Sequence, residues 1–282
     1  ISGLPVTGGA FPRPPEAPFP LSTNYEETML LKDKKCLIFG VANNRSIAYG
    51  IASCFKEQGA RLAFSYAGEA IHKRVEPISE ELGGEFIFPC DVTSDEDIAA
   101  AAVLVKEKWG RVDVPVHSVA FANREDLTKR FIETSRDGFA TALNVSAYSL
   151  TALCHAFEPM LNPGASVLTM TYYGAQKIIT NYNVMGVAKA ALEASVRYLS
   201  VDLGAKDVRI NAISAGPLKT LASSGISDFK QIFNHIEEHA PLRRNVTTED
   251  VGKAAVFLAS DLGSAVTGEI MFVDCGYNNL GI

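Results

Sequence analysis

The sequence predicts an α/β fold, one doubly wound domain built on a parallel sheet of about seven strands. From Lys35 onward, short apolar runs alternate with longer amphipathic stretches, which is βαβ repetition. The runs are apolar nearly throughout, so both faces of each strand are covered. Right-handed crossovers between parallel strands then lead to a doubly wound sheet. With 282 residues, 47% hydrophobic and 21% charged, the chain is long enough for one large core.

Taken in order, the candidate strands are residues 36–40, 61–65, 86–89, 112–116, 166–171, 209–214 and 270–273, with helical patterns between most of them. Ligands of such sheets bind beyond the carboxyl ends of the strands, so the loops after each strand are where chemistry is sought. Ahead of the first strand, residues 1–28 hold Pro5, Pro12, Pro14, Pro15, Pro18 and Pro20 without periodicity. They read as a Pro-rich arm or an appended remnant, without the apolar region of a signal peptide. Residues 29–282 read as the single folded domain.

Composition removes several function classes. The formal charge is −6 and no run of Lys or Arg exceeds two, which is no footprint for nucleic acid or an anionic membrane. No apolar stretch reaches the roughly 18 residues that a membrane span needs. Cys36, Cys54, Cys90, Cys154 and Cys275 are odd in number, form no C-x-x-C pair and sit mostly among apolar residues. They suit reduced core thiols in a cytoplasmic compartment.

The first strand runs into Gly40-Val41-Ala42-Asn43-Asn44-Arg45-Ser46-Ile47-Ala48. A glycine there lets the backbone turn sharply, and amides at the next helix N-terminus can hold a pyrophosphate. The spacing lacks the middle glycine of G-x-G-x-x-G, so an ordinary turn capped by Ser46 is the competing reading. After the second strand, Ser65-Tyr66-Ala67-Gly68 offers neither an acidic residue for a ribose hydroxyl nor an Arg for a 2′-phosphate. That favours NADH over NADPH, with Arg45 and Lys73 as the cations that could reverse the preference. Asp91 after strand three suits either an adenine edge or an Asx turn.

Tyr182 and Lys189 follow candidate strand five at the opening of a long helical pattern. Seven residues apart, they fall on nearly one helix face, about 10 Å along its axis. A neutral tyrosine can donate to a developing oxyanion, and a neighbouring ammonium lowers its pKa and can hold ribose hydroxyls.

At this point a resemblance becomes specific. Tyr-x6-Lys with Tyr172 ten residues upstream, the Gly40-x5-Ser46-Ile47-Ala48 loop, His117-Ser118-Val119-Ala120-Phe121-Ala122 and Arg209-Ile210-Asn211-Ala212-Ile213-Ser214-Ala215-Gly216-Pro217 resemble bacterial enoyl-acyl-carrier-protein reductases. The similarity spans roughly residues 30 to 280 in order. Those enzymes are divergent members of the short-chain dehydrogenase fold, whose ordinary members carry Tyr-x3-Lys. In ketone reduction, hydride reaches the carbon whose oxygen the tyrosine holds. In an enoyl thioester it reaches C3 while charge gathers on the C1 oxygen, so the donor sits farther from the nicotinamide. Ala120 stands where many relatives have Gly, and Tyr173 where Leu is usual.

The resemblance implies a Rossmann-like domain with a helical substrate lid at about 218–240, and NADH/NAD+ as cofactor. It implies reduction of a trans-2-enoyl thioester on acyl carrier protein, in fatty-acid elongation by a cytoplasmic homotetramer. Tyr182, Lys189 and Tyr172 would be catalytic. Gly40, Ser46, Ile47, Ala67, Asp91, Val92, Val119, Lys189, Leu218, Lys219, Thr220, Leu221 and Ala222 would line the cofactor. Ala122, Tyr172, Tyr182, Ile226 and Phe229 would meet the substrate, as would Ala222, although Ala222, Ile226 and Phe229 at helical spacing also read as core. Lys219 and Lys230 could form a basic rim for acidic acyl carrier protein, or simply be solvated.

Two other signals carry less weight. His235-Ile236-Glu237-Glu238-His239 matches H-x-x-E-H, but zinc catalysis needs a third ligand and an open position, and no partner His follows. His117 reads as a packed histidine rather than a base. The competing functions are a short-chain reductase of ketones or alcohols and a dinucleotide-binding protein without turnover.

Overall fold

In β1 (Lys35–Phe39), successive side chains point to opposite faces. Cys36 and Ile38 join one apolar cluster, and Leu37 and Phe39 join another. Both faces are covered, as the continuous apolar run requires. The strand stops one residue short of the sequence expectation because Gly40 turns out of the sheet at φ +94°. The computed structural model describes residues 29–220 and 229–281, with backbone alone at 229 and 230. The Pro-rich arm and lid positions 221–228 lie outside the described residues.

The chain continues through α1 (Ile47–Glu57), β2 (Arg61–Tyr66), α2 (Glu69–Leu82), β3 (Phe86–Pro89), α3 (Asp95–Trp109) and β4 (Val114–His117). Then come α4 (Arg124–Thr128), α5 (Arg136–Leu143), α6 (Ser149–Phe157), β5 (Ser166–Thr171) and α7 (Val184–Gly204). The described chain closes with β6 (Arg209–Ala215), α8 (Phe229–His239), α9 (Thr248–Ala259) and β7 (Ile270–Val273). All seven strands form one parallel sheet in the order β3-β2-β1-β4-β5-β6-β7. Strand order reverses between β1 and β4, which opens a crevice at their carboxyl ends.

The expected fourth strand, 112–116, is shifted. Val112 pairs with Leu161 outside the sheet, and β4 begins only at Val114. The Asp113 carboxylate intervenes: it accepts from the Lys35 amide at 2.8 Å and from Asn162 Nδ2 at 2.8 Å.

The helices divide between the two faces. Ile51 and Phe55 of α1, Val75 and Leu82 of α2, and Val251 and Leu258 of α9 belong to one cluster. Val105 of α3, Leu150 and Phe157 of α6, and Leu192 and Val196 of α7 belong to the other. There Phe39 meets Phe88 and Phe157 edge-on at 5.6 and 5.7 Å. Each such ring contributes about 1.5–3 kcal/mol of apolar burial. The crevice thus rests on a rigid, doubly covered base.

Candidate active site

The loops after β1 and β4 touch. A Cβ at position 40 would lie 2.1 Å from the Ser118 carbonyl oxygen and 3.2 Å from the Val119 amide, so only glycine allows this approach. Beyond it, Ser46 caps α1: its hydroxyl donates to the Asn43 carbonyl at 2.7 Å and accepts from the Tyr49 amide at 3.4 Å. The capped turn is therefore present. It still leaves the first amides of α1, from Ile47, at a helix N-terminus where no intrahelical acceptor precedes them.

Around this cradle the other expected cofactor residues are distributed as follows. Ala67 is exposed just after β2, and Val92 and Val119 pack partly buried against the second cluster. Asp91 forms an Asx turn, accepting from the Thr93 amide at 2.9 Å and its hydroxyl at 2.7 Å. Lys73 pairs with Glu69 at 3.5 Å. Leu218 is buried in the first cluster, and the Thr220 amide donates to its carbonyl at 2.8 Å. Lys219 places its ammonium 4.2 Å from the centre of the Phe233 ring on α8, a cation–π contact. Leu221, Ala222 and Ile226 lie outside the described residues, as do the side chains of Phe229 and Lys230.

Tyr182 and Lys189 are held differently from the expected arrangement. They do not share a helix: α7 begins at Val184. Asn181 and Asn183 adopt φ of 63° and 42°, and Tyr182 between them lies in a turn, its amide donating to the Ile179 carbonyl at 3.1 Å. Left-handed backbone at two asparagines, a residue type that tolerates it, ends the helical register before it reaches the tyrosine. The Tyr182 ring meets Tyr172 edge-on at 5.0 Å and packs on Gly174, where a Cβ would lie 2.5 Å from its Cδ1.

Lys189 is buried, and its ammonium donates to the Met170 carbonyl near the end of β5 at 2.8 Å. Burial pulls its pKa down to about 8, with Glu193 opposing. Burial also dominates at the phenols. Tyr182 is pushed well above the ordinary range, with Tyr172 and Glu193 adding to the rise. This corrects the expectation of a pKa lowered by the ammonium: burial dominates, and the charges that act on the phenol push in the same direction. Tyr172 is pushed up to about 12, again by burial first and then by Tyr277.

His117 is buried between two hydroxyls, with Nδ1 2.8 Å from Thr169 Oγ1 and Nε2 2.8 Å from Ser149 Oγ. Burial, then the charge of Lys189, pulls its pKa down to about 3, so the ring is a neutral packed group as expected. The His235 and His239 rings stack at 4.1 Å, and His239 Nδ1 lies 2.7 Å from the His235 carbonyl oxygen. Among the described residues no cluster of three His, Cys, Asp or Glu side chains is placed to hold a metal ion.

A cavity of about 390 Å³ opens beside these groups. Tyr172, Ser214, Ala215, Gly216 and Pro217 form its strand side, and Gln231, Ile232, His235 and Ile236 of α8 form the facing wall. Tyr182 is not part of the wall; Tyr172 is. Ala122 instead packs beside Val184 and Ala188 at the start of α7. Sequence reading missed Ile178, Ile179, Asp274 and Tyr277, which line the cavity from two further segments. The Ile232–Ile236 spacing on α8 was a usable signal, whereas nothing local marks Asp274 or Tyr277. Tyr173 also lines the cavity and packs on Phe272 and Tyr277 at 6.1 and 6.3 Å. The Ser214 hydroxyl is buried at this wall and has no hydrogen-bond partner among the described residues.

The family model for enoyl-(acyl carrier protein) reductase matches residues 40–278. An enoyl-acyl-carrier-protein reductase (NADH) of Rhizobium meliloti is 53% identical over 253 residues, covering 90% of this chain and 93% of its own. The Bacillus cereus enoyl-acyl carrier protein reductase, solved with NADP+ and indole naphthyridinone, superposes with a TM-score of 0.88 at 50% identity, covering 90% of this chain and 99% of that one. The corresponding reductase of Anaplasma phagocytophilum, solved in complex with NAD, gives 0.86 at 47% identity and covers 90% and 95% of the two chains. Likeness of this extent takes in the sheet, the glycine cradle and the Tyr-x6-Lys pair alike, and the chain belongs to the enoyl-acyl-carrier-protein reductase family.

Proposed function

We propose that the protein reduces the trans-2 double bond of an enoyl thioester on acyl carrier protein with NADH, as a step of fatty-acid elongation. The observation that carries the reading is the convergence of Tyr172, Tyr182 and Lys189 at the carboxyl end of β5, beside a largely apolar cavity of about 390 Å³. The residues present fit a dinucleotide. A Cβ would fill the cradle at Gly40, and the α1 N-terminus next to it favours a phosphate. The Ser65-Tyr66-Ala67-Gly68 stretch that ends β2 carries no cation for a 2′-phosphate, in keeping with NADH.

When bound, the nicotinamide supplies the hydride that adds to C3 of the substrate. The protein's part is electrostatic and positional. Tyr182, kept neutral by burial, presents a phenolic O–H to the thioester oxygen as negative charge develops there. Tyr172 orients that ring by edge contact and forms the cavity wall. Lys189, held by the Met170 carbonyl, supplies positive charge and donors for the nicotinamide ribose. Gly40, Ser46, Ile47, Ala67, Asp91, Val92, Val119 and the segment from Leu218 to Ala222 serve the cofactor. Ala122, with Ile226 and Phe229 from the lid, serves the acyl thioester.

Mixing the protein with NADH and a crotonyl thioester tests the reading by loss of reduced-cofactor absorbance. Enoyl-dependent loss supports it. Keto-dependent loss would instead make it a ketone reductase, and binding without loss a non-catalytic protein.

We further infer a homotetramer, a single catalytic domain over 29–282 with its lid near 218–240, and a cytoplasmic setting. Exposed Tyr198 and Val201 on α7 and Tyr148 ahead of α6 support association of copies. Five free, buried cysteines support a reducing compartment. Among the described residues, no helix is long and apolar enough to cross a membrane.

A further inference from the structure

Glu193 is buried one helical turn beyond Lys189 on α7, and neither the family pattern quoted above nor the mechanism uses it. Its carboxylate is occupied on both oxygens. Oε1 accepts from the Thr171 hydroxyl at 2.9 Å, and Oε2 accepts from Gln176 Nε2 at 3.2 Å. Thr171 is the last residue of β5, and Gln176 ends the short 3-10 turn that follows it. One carboxylate therefore holds the entry and the exit of a single turn. That turn contains Tyr172, Tyr173 and Gly174, and is closed by the Ala175 amide on the Tyr172 carbonyl at 2.9 Å and the Gln176 amide on the Tyr173 carbonyl at 2.9 Å.

The turn is also the surface on which the proposed proton donor rests. Gly174 packs against Cδ1 and Cε1 of the Tyr182 ring, and Tyr172 meets that ring edge-on. Gly186, in the first turn of α7, lies against the Gly174 carbonyl, where a Cβ would be 2.8 Å away. Any rise or rotation of residues 172–176 would therefore be passed directly to the Tyr182 ring. A second, electrostatic consequence comes from the same carboxylate. Lys189 is faced by neutral His117 on β4, and Glu193 is the acidic group that sustains its protonated form.

We propose that Glu193 is a positioning residue of the reductase, bracketing the Tyr172–Gln176 turn through Thr171 and Gln176 so that Tyr172 and Gly174 hold Tyr182 in its working orientation. The inference rests on the functional reading above and adds a group that touches neither substrate nor cofactor. It separates two effects. Geometry depends on having two hydrogen-bonding atoms at position 193, and the charge of Lys189 depends on a carboxylate there. Glu193→Gln keeps the first, because the amide can accept from Thr171 and donate to a flipped Gln176, and removes the second. Glu193→Ala removes both, and Gln176→Ala removes one strut alone.

The test measures steady-state kinetics of the full chain with NADH and a crotonyl thioester across pH, with circular dichroism to establish folding. Glu193→Ala is expected to lose on the order of 10²-fold in kcat, the cost of roughly 1 Å of misplacement, with the KM for NADH little changed on the acid side of the Lys189 titration. Gln176→Ala falls in the same direction by less. Glu193→Gln recovers most of the turnover lost in Glu193→Ala, yet its alkaline limb for NADH binding moves to lower pH, because Lys189 deprotonates earlier. A 13C-tyrosine ring resonance assigned to Tyr182 shifts in Glu193→Ala and stays in place in Glu193→Gln.

A folded Glu193→Ala protein with parental kcat would overturn the proposal, as would Glu193→Gln falling as far as Glu193→Ala. Should Glu193→Ala fail to fold, an unchanged kcat and Tyr182 resonance in Gln176→Ala would overturn it. A parent protein that binds NADH but never oxidises it with an enoyl thioester refutes the functional reading instead, which separates the two failures.

Discussion

The substitution Gly174→Ala isolates what the turn after β5 does for Tyr182. A methyl group there would stand 2.5 Å from Tyr182 Cδ1, 2.8 Å from Cε1 and 3.3 Å from Tyr172 Cδ1. Carbon atoms rest about 3.5–4.0 Å apart, so the Tyr182 ring must move by roughly 1 Å or more. It cannot retreat freely, because it is nearly fully buried and Tyr172 stands edge-on to it at 5.0 Å. Overpacking of this kind costs about 1–3 kcal/mol of stability. A reacting group displaced by about 1 Å costs on the order of 10² in rate, or about 2.7 kcal/mol in the barrier. The expected result is a kcat near one per cent of the parent, with the KM for NADH almost unchanged, because the glycine cradle at Gly40 is untouched. Stopped-flow and steady-state oxidation of NADH would measure both, and thermal melting would measure the stability loss. A lowered melting temperature with parental kcat would refute the reasoning, since the ring would then have moved without consequence for chemistry.

Other outcomes follow from the same geometry. Tyr182→Phe lowers turnover by about 10²–10³-fold while NADH affinity, read by fluorescence titration, stays close to parental. Replacing Lys189 by Met weakens NADH binding in the same titration; full activity in both variants would contradict the assignments. Gly40→Ala drives its Cβ into the Ser118 carbonyl at 2.1 Å from a backbone already at φ +94°, so it abolishes NADH binding and lowers the melting temperature. For His117, the folded pKa of about 3 lies below the unfolded value of 6.5, so the unfolded chain binds the extra proton. Its contribution to stability is fully present above about pH 6.5 and is lost as pH falls toward 3, at up to about 1.4 kcal/mol per unit. Urea titrations at pH 7 and 5 should show a smaller acid loss in His117→Gln than in the parent.

Much of the architecture could be read from local pattern. Strand boundaries at 86–89, 166–171 and 270–273 coincide with those observed, and Gly40 and Ser46 occupy the turn and cap roles that their chemistry suggested. Both signals are carried by neighbours in the chain, so composition and spacing suffice. The Tyr-x6-Lys motif rests on a helical register that the structure does not carry. Periodicity extended the helix through Tyr182, while the left-handed backbone at Asn181 and Asn183 ends it at Val184. Asparagine tolerates that conformation without demanding it, so no local rule could have placed the break.

What the sequence by itself determined is the doubly wound sheet and the crevice at its strand reversal, because each follows from contacts among near neighbours or from a pattern. Only the tertiary structure decided the ionisation of Tyr182 and Lys189, the wall that Asp274, Tyr277 and α8 build against the end of β6, and the grip of Glu193 on Thr171 and Gln176. Those depend on residues far apart in the chain and on the removal of water around them. Burial and long-range contact come into being only when the layers close, and no window of sequence contains them.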